Sequence, residues 1–471
     1  MAQAAGTIVV LDNGGHTCKA GFAGQVDPKR IVPNLIAKSK AERKTFVGDQ
    51  FDACTDFSGL QYRLALEKGY PINWETEAEV WTRIFGKDVL AVNTADCRLM
   101  LSTPPLCPSS ILATINEIVF EHFNFQSLCS ACPQLLASYA QQAELEARSE
   151  PQPAATLVVD CGFSSTHIVP IFDAQAINFG IRRLAVGGKV LTNHLKQVIS
   201  HRQWNVMDET HMINDVKEQM CYVSLDLAAD LRAAAVRRGS AITREFVMPD
   251  YIHVTRGYVK PVVVDVDADA SADASADAAG DRGGCSGAAD GAGASVGAAG
   301  GARTPGPPAK KARPPDGSAV RGGGGGSAAG GVSARGGEAQ QVLALGVERF
   351  GTGEVLFYPS DIGLDEAGIP EAIVQAVGAT LPDLHEALYS NIVLTGGTAK
   401  LPNLAARLEA ELRQLVPADF ALNVRPAADP IVAAWRGASH FASGPLFERS
   451  SVSRDEYLEH GHAFVKRVCH N

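Results

Sequence analysis

Two aspartates, each ending an apolar run at a glycine turn, are the residues best placed to do chemistry. The run Thr7-Ile-Val-Val-Leu-Asp12 passes into Asn13-Gly14-Gly15, and Thr156-Leu-Val-Val-Asp160 passes into Cys-Gly162. Carboxylates suit a hydrated divalent cation, while glycine lets backbone N–H groups approach an anion closely. Two such turns facing each other would clamp the phosphates of a nucleotide, with Asp12 and Asp160 holding the metal through water. Either turn alone could be an ordinary hairpin; the duplication argues for a shared cleft.

The elements that position these turns follow from hydrophobic spacing. Both runs are short and rich in β-branched residues, as strands buried on two faces are. Asn391-Ile-Val-Leu-Thr-Gly396-Gly397 is a third, expected to lead to a helix over about 403–415. Residues 110–125 place Ile111, Leu112, Ile115, Ile118, Val119 and Phe123 at helical spacing. Met212, Ile213, Val216 and Met220 do the same behind a cap expected at Asp208. Three strand-to-glycine turns feeding helices predict an α/β fold with ligands at the strand ends.

Composition bounds the rest. The 471 residues leave room for two or three domains, and 42 basic against 52 acidic residues give a net charge of −10. That balance excludes a broad basic surface for nucleic acid. No apolar run reaches the ~18 residues of a membrane span, and the N-terminus lacks the pattern of a signal peptide. Ten scattered cysteines fit reduced thiols in the cytosol or nucleus. Residues 262–340 are Ala/Gly/Asp-rich with almost no large apolar side chain, which predicts a disordered insertion. Within it, Lys310, Lys311 and Arg313 sit among prolines as a basic cluster suited to a nuclear import receptor. Cys129 and Cys132 have no second cysteine pair at zinc spacing, so helix packing is the expected role. His460, His462, Cys469 and His470 read as a solvated tail.

The motifs together resemble the actin superfamily over nearly the whole chain outside the insertion. Asp12-Asn-Gly-Gly-His-Thr-Cys-Lys19-Ala-Gly-Phe-Ala-Gly24 is similar to the first phosphate loop of actin, and Val159-Asp-Cys-Gly162 with Thr166-His167 to the second. Thr395-Gly396-Gly397-Thr398 resembles the adenosine loop, and Val216-Lys217-Glu218 the helix beside the purine. The resemblance implies an actin-like two-lobed α/β fold, with duplicated ribonuclease-H-like domains around a nucleotide cleft. It divides the chain into a first lobe at 1–150, with a small subdomain at 34–69 and a return at 432–471. A second lobe follows at 151–261 and 341–431. ATP or ADP with magnesium would lie against Asp12, Asn13, Gly14, Gly15, Lys19, Asp160, Gly162, Lys217, Glu218, Gly396, Gly397 and Thr398.

Departures from actin bear on activity. The position of a phosphate-binding serine falls on Gly15, followed by His16, and Phe163 stands where an acidic residue follows Gly162. Alignment on Tyr139 puts Pro133 at the water-positioning glutamine and leaves Gln134 facing elsewhere. Because phosphoryl transfer rests on positioning and electrostatics, the expectation is a bound but unturned nucleotide and no enzyme activity. Lys400 and Leu401 replace a pair that packs on the base. The stretches 166–170, 186–195, 206–211, 357–363 and 368–373 are similar to one nuclear branch of actin-related proteins. That branch implies a scaffold in the nucleus, with a cytoplasmic pool as the second compartment. Its partners would be the motor ATPase and zinc-finger subunit of a complex exchanging a variant histone into nucleosomes, with histones or the nucleosome itself. Partner surfaces are expected on 186–195, 206–222 and 359–373. The competing classes are an active ATPase or phosphotransferase and a filament-forming cytoskeletal actin; a shortened loop around 37–45 argues against filaments.

Overall fold

The computed structural model describes residues 6–40, 43–236, 240–261 and 340–469, with side chains as far as Val465. The expected insertion, with Lys310, Lys311 and Arg313, lies outside the described residues except for Gln340, as does His470.

Two six-stranded sheets carry the two aspartates. In the first, strand Thr7–Asn13 runs parallel to Cys97–Ser102, which runs parallel to Ser127–Ala131. Strands Thr17–Phe22 and Arg30–Pro33 extend one edge antiparallel, and Val452–Ser453 closes the other. The second sheet repeats the scheme: Ala155–Cys161 runs parallel to Ile392–Thr395 and antiparallel to Thr166–Phe172. The apolar runs explain their own placement. Val9 and Leu11 face a cluster with Trp81 and Leu99, whereas Val10 faces Met100, Leu136 and Trp435. In the second sheet Leu157 and Val159 face one cluster, and Val158 another that includes Ala137 and Ala433. Burying each such side chain is worth about 1.5–3 kcal/mol, which makes both strands unsuited to exposure.

Helices Pro133–Ala147 and Ala433–Ser443 lie side by side and tie the sheets together. Leu136 packs with the first sheet's Val10 and Ala137 with the second sheet's Val158. The buried Trp435 donates its indole N–H to the Val10 carbonyl at 3.1 Å. Close approach requires Gly437, where a Cβ would stand 1.7 Å from the Leu136 carbonyl oxygen. A small three-stranded sheet has Leu35–Ser39 between Lys44–Val47 and Gln61–Leu64, and the cluster packed on it meets helix Thr210–Met220. There Phe57 stacks on His211, with ring centroids 4.4 Å apart.

Some expectations needed correction. The first two glycine turns end hairpins; only the third leads to a helix, Leu404–Leu415. The helix expected over 110–125 is Ser109–Glu117, continued by a π-helical turn Ile118–His122. Helix Thr210–Met220 begins after Glu209 rather than Asp208, and no side chain caps it.

Candidate functional site

The two hairpins present equivalent positions to one another. Asp12 lies opposite Lys19 in the first, and Asp160 opposite His167 in the second. Asp12 is buried; its carboxylate meets the Lys19 ammonium at 3.2 Å and accepts from Ser102 Oγ at 2.6 Å. Asp160 has its carboxyl pushed up to about 6, first by burial and then by the charge of Asp12. Two carboxylates that repel one another in a buried place fit a hydrated divalent cation, whose charge would relieve both.

Glycine supplies the close approaches around them. Gly396 has φ +85°, and a Cβ there would sit 2.4 Å from the Cys161 carbonyl oxygen and 2.6 Å from Asp160 Oδ1. Thr398 Oγ1 donates to the Gly162 carbonyl at 3.1 Å, locking the third turn onto the second; Gly397 borders open space. Lys217 is buried and donates to Thr192 Oγ1 at 2.9 Å, Asn214 Oδ1 at 2.8 Å and the Gly188 carbonyl at 3.3 Å. With only neutral acceptors in that set, burial pushes its ammonium below the usual range. Glu218 is exposed and accepts from Asn214 Nδ2 at 2.6 Å. Lys400 pairs with Asp429 at 3.4 Å, and Leu401 is buried beside it.

Two placements differ from the sequence reading. The Asn13 side chain turns inward, donating to Glu77 and accepting from Asn34 Nδ2 at 3.2 Å, so only its backbone borders the turn. Gln134, expected to face elsewhere, is buried and donates from Nε2 to Asp160 Oδ2 at 2.7 Å. Its Oε1 and the Nε2 of His167 are buried, and neither has a hydrogen-bond partner. His167 is pushed down to about 4 by burial, with Arg183 adding to the effect, so it is a neutral imidazole at pH 7.

The feature that sequence reasoning missed lies between the turns. His16 and Phe163 meet across them as a tilted ring pair, with centroids 4.8 Å apart and planes inclined by 31°. A Cβ on Gly15 would be 2.4 Å from Ser164 Oγ, so the hairpin tips are in contact. One side of His16 is open to solvent, but the cleft walls enclose enough of the ring to push it down to about 4. Burial is the main cause, followed by Lys217 and Lys19. Both substitutions were visible in the sequence; nothing in their spacing showed that they meet.

Paired glycine-turn hairpins on duplicated sheets, joined by the two helices that lie side by side, define an actin-type fold. The profile of the family described as Actin matches residues 3–470, and the chain belongs to that family. Its relatives include actin-related protein 6 of Oryza sativa subsp. japonica, 37% identical over 468 residues that cover 98% of each chain. Actin-related protein 6 of Drosophila melanogaster is 34% identical over 459 residues, covering 97% of this chain and 98% of the relative. That of Arabidopsis thaliana is 34% identical over 474 residues, covering 98% of each. Among the described residues no group of three or more His, Cys, Asp or Glu could hold a metal, and no helix is long and apolar enough to cross a membrane.

Proposed function

We propose that the chain is a non-catalytic, actin-fold scaffold of a nuclear complex that exchanges a variant histone into nucleosomes, regulating transcription. ATP or ADP with magnesium serves it as a structural ligand. The observation that carries this reading is the contact between the hairpin tips. Phe163 puts an apolar ring, set against a neutral His16, where phosphoryl transfer calls for a charged or water-binding group. Likeness to actin-related protein 6 of rice, fly and thale cress supports the branch. The net charge of −10 suits basic histone tails or basic partner segments.

The branch-like stretches need a finer reading as docking surfaces. Val186, Leu191, Leu195, Val206, Ile213, Val216 and Ile373 are all core residues, so much of that likeness reflects packing. Met207 within them, and Trp204 just before the stretch that starts at Val206, are about half exposed and are the better partner contacts. Affinity purification of the full chain from nuclear extract tests the assignment. The motor ATPase, a small zinc-finger subunit and histones are the expected companions; recovery alone, or with cytoplasmic filaments, refutes it.

Gln134 favours a second reading, slow ATP hydrolysis. Its amide and His167 bring two buried polar atoms without partners to the Asp160 turn, which is what orienting a water requires. Single-turnover assays with labelled ATP separate the two. The scaffold reading expects negligible turnover; turnover near that of filament-forming actin, lost in Asp160→Ala, establishes the second.

A further inference from the structure

The contact between the hairpin tips has a consequence for which nucleotide the cleft admits. Adenosine would lie by Gly396, Gly397, Thr398 and Lys217, and the phosphates would run from there toward Asp12 and Asp160. A terminal phosphate must therefore pass between Gly15 and Ser164. A methyl group on Gly15 would meet the Ser164 hydroxyl at 2.4 Å, so that side chain must turn aside before anything enters the gap, and Phe163 lines its next boundary at 3.8 Å. The tilted contact of His16 with Phe163 spans the same gap. Neither ring offers a charge to replace what it blocks: Phe163 has none, and burial beside Lys217 and Lys19 keeps His16 neutral. The lysines on either side would still attract phosphate, so the cleft is narrowed rather than abolished.

We propose that His16 and Phe163 are specificity-determining residues that make the cleft take a nucleoside diphosphate in preference to the triphosphate. The inference rests on the nucleotide reading above and adds which phosphates fit. Opening the ring pair costs binding energy for each ligand that needs the space, and only the third phosphate needs it. Ring pairs of this kind correspond to an effect of about five- to tenfold in an affinity ratio.

The test is calorimetric titration of the purified, nucleotide-stripped full chain with ADP and with ATP, both with magnesium. Wild type, His16→Gly, Phe163→Ala and His16→Phe are compared, and melting without nucleotide checks that each is folded. Wild type should bind ADP at least as tightly as ATP. His16→Gly and Phe163→Ala should each shift the ratio toward ATP about five- to tenfold. His16→Phe keeps a ring in the pair and should retain the wild-type ratio. A wild type that prefers ATP, or folded His16→Gly and Phe163→Ala proteins with unchanged ratios, overturns this proposal and leaves the nucleotide reading standing. If one of those two variants does not fold, the other decides. Absence of binding by wild type and variants alike overturns the nucleotide reading itself, and this proposal with it.

Discussion

Glu77 is the least expected side chain under the cleft. It is fully buried beneath the first turn, where Asn13 Nδ2 donates to one carboxyl oxygen and the other has no hydrogen-bond partner, and burial pushes it up to about 7. Because the folded value lies above the ordinary 4.5, the folded chain binds more protons than the unfolded chain between pH 4.5 and 7. Glu77 therefore makes stability fall as pH rises through that window and is indifferent outside it. Glu77→Gln keeps an acceptor for Asn13 and removes the ionisation. It should stabilise the protein at pH 8 by roughly 3 kcal/mol while changing little near pH 4.5. Urea melts of both proteins from pH 4.5 to 8 check this; parallel profiles would show that Glu77 stays ionised in the fold. At this scale Asp12 and Asp160 were legible because a carboxylate ending a buried strand before glycine leaves few other roles. Gln134 was not. Alignment set it one step past the expected position, and a regular helix would turn it away. However, Pro133 begins the helix, and side chains in a first turn lean back toward the N-terminus, here over Asp160.

The strands were legible for a physical reason: unbroken apolar runs need two packed faces, and Thr7–Asn13 and Ala155–Cys161 have them. Spacing alone could not show that both runs end in hairpins, since a glycine turn serves a strand or a helix equally. It could not show the π-helical turn at Ile118–His122 either, because the apolar positions continue through it. The pairing of helices Pro133–Ala147 and Ala433–Ser443 was equally hidden, since it depends on an absent side chain. At Gly437 a methyl group would strike backbone rather than a flexible side chain, so the helices would have to separate. Gly437→Ala should cost about 3 kcal/mol or more despite alanine's better helix propensity. Denaturant unfolding measures it; a neutral or stabilising effect would mean that the two helices slide apart freely.

At the scale of the whole molecule, the join around the 262–339 segment is the feature open to the sharpest test. The chain enters the segment after strand Tyr258–Val259 and returns into Val342–Leu345, and both strands flank Arg244–Val247. Lys260 bonds to Glu245 at one end of the central strand, and Gln341 to Met248 at the other. From strand spacing and rise, Pro261 and Gln340 are about 19 Å apart, two strands across and five residues along. About ten Gly/Ser residues span that distance as a flexible linker. Replacing 262–339 with such a linker keeps all three strands. It also shortens the loop to be closed, worth about 2 kcal/mol in favour of folding. The deleted protein should therefore melt within a few degrees of the parent or slightly above it. A large loss of stability would show that the segment supplies folding contacts. Because the deletion also removes Lys310, Lys311 and Arg313, the folded product should lose nuclear accumulation in cells. Undiminished nuclear accumulation of the deleted protein, free of any partner that could carry it in, would move the import signal elsewhere in the chain.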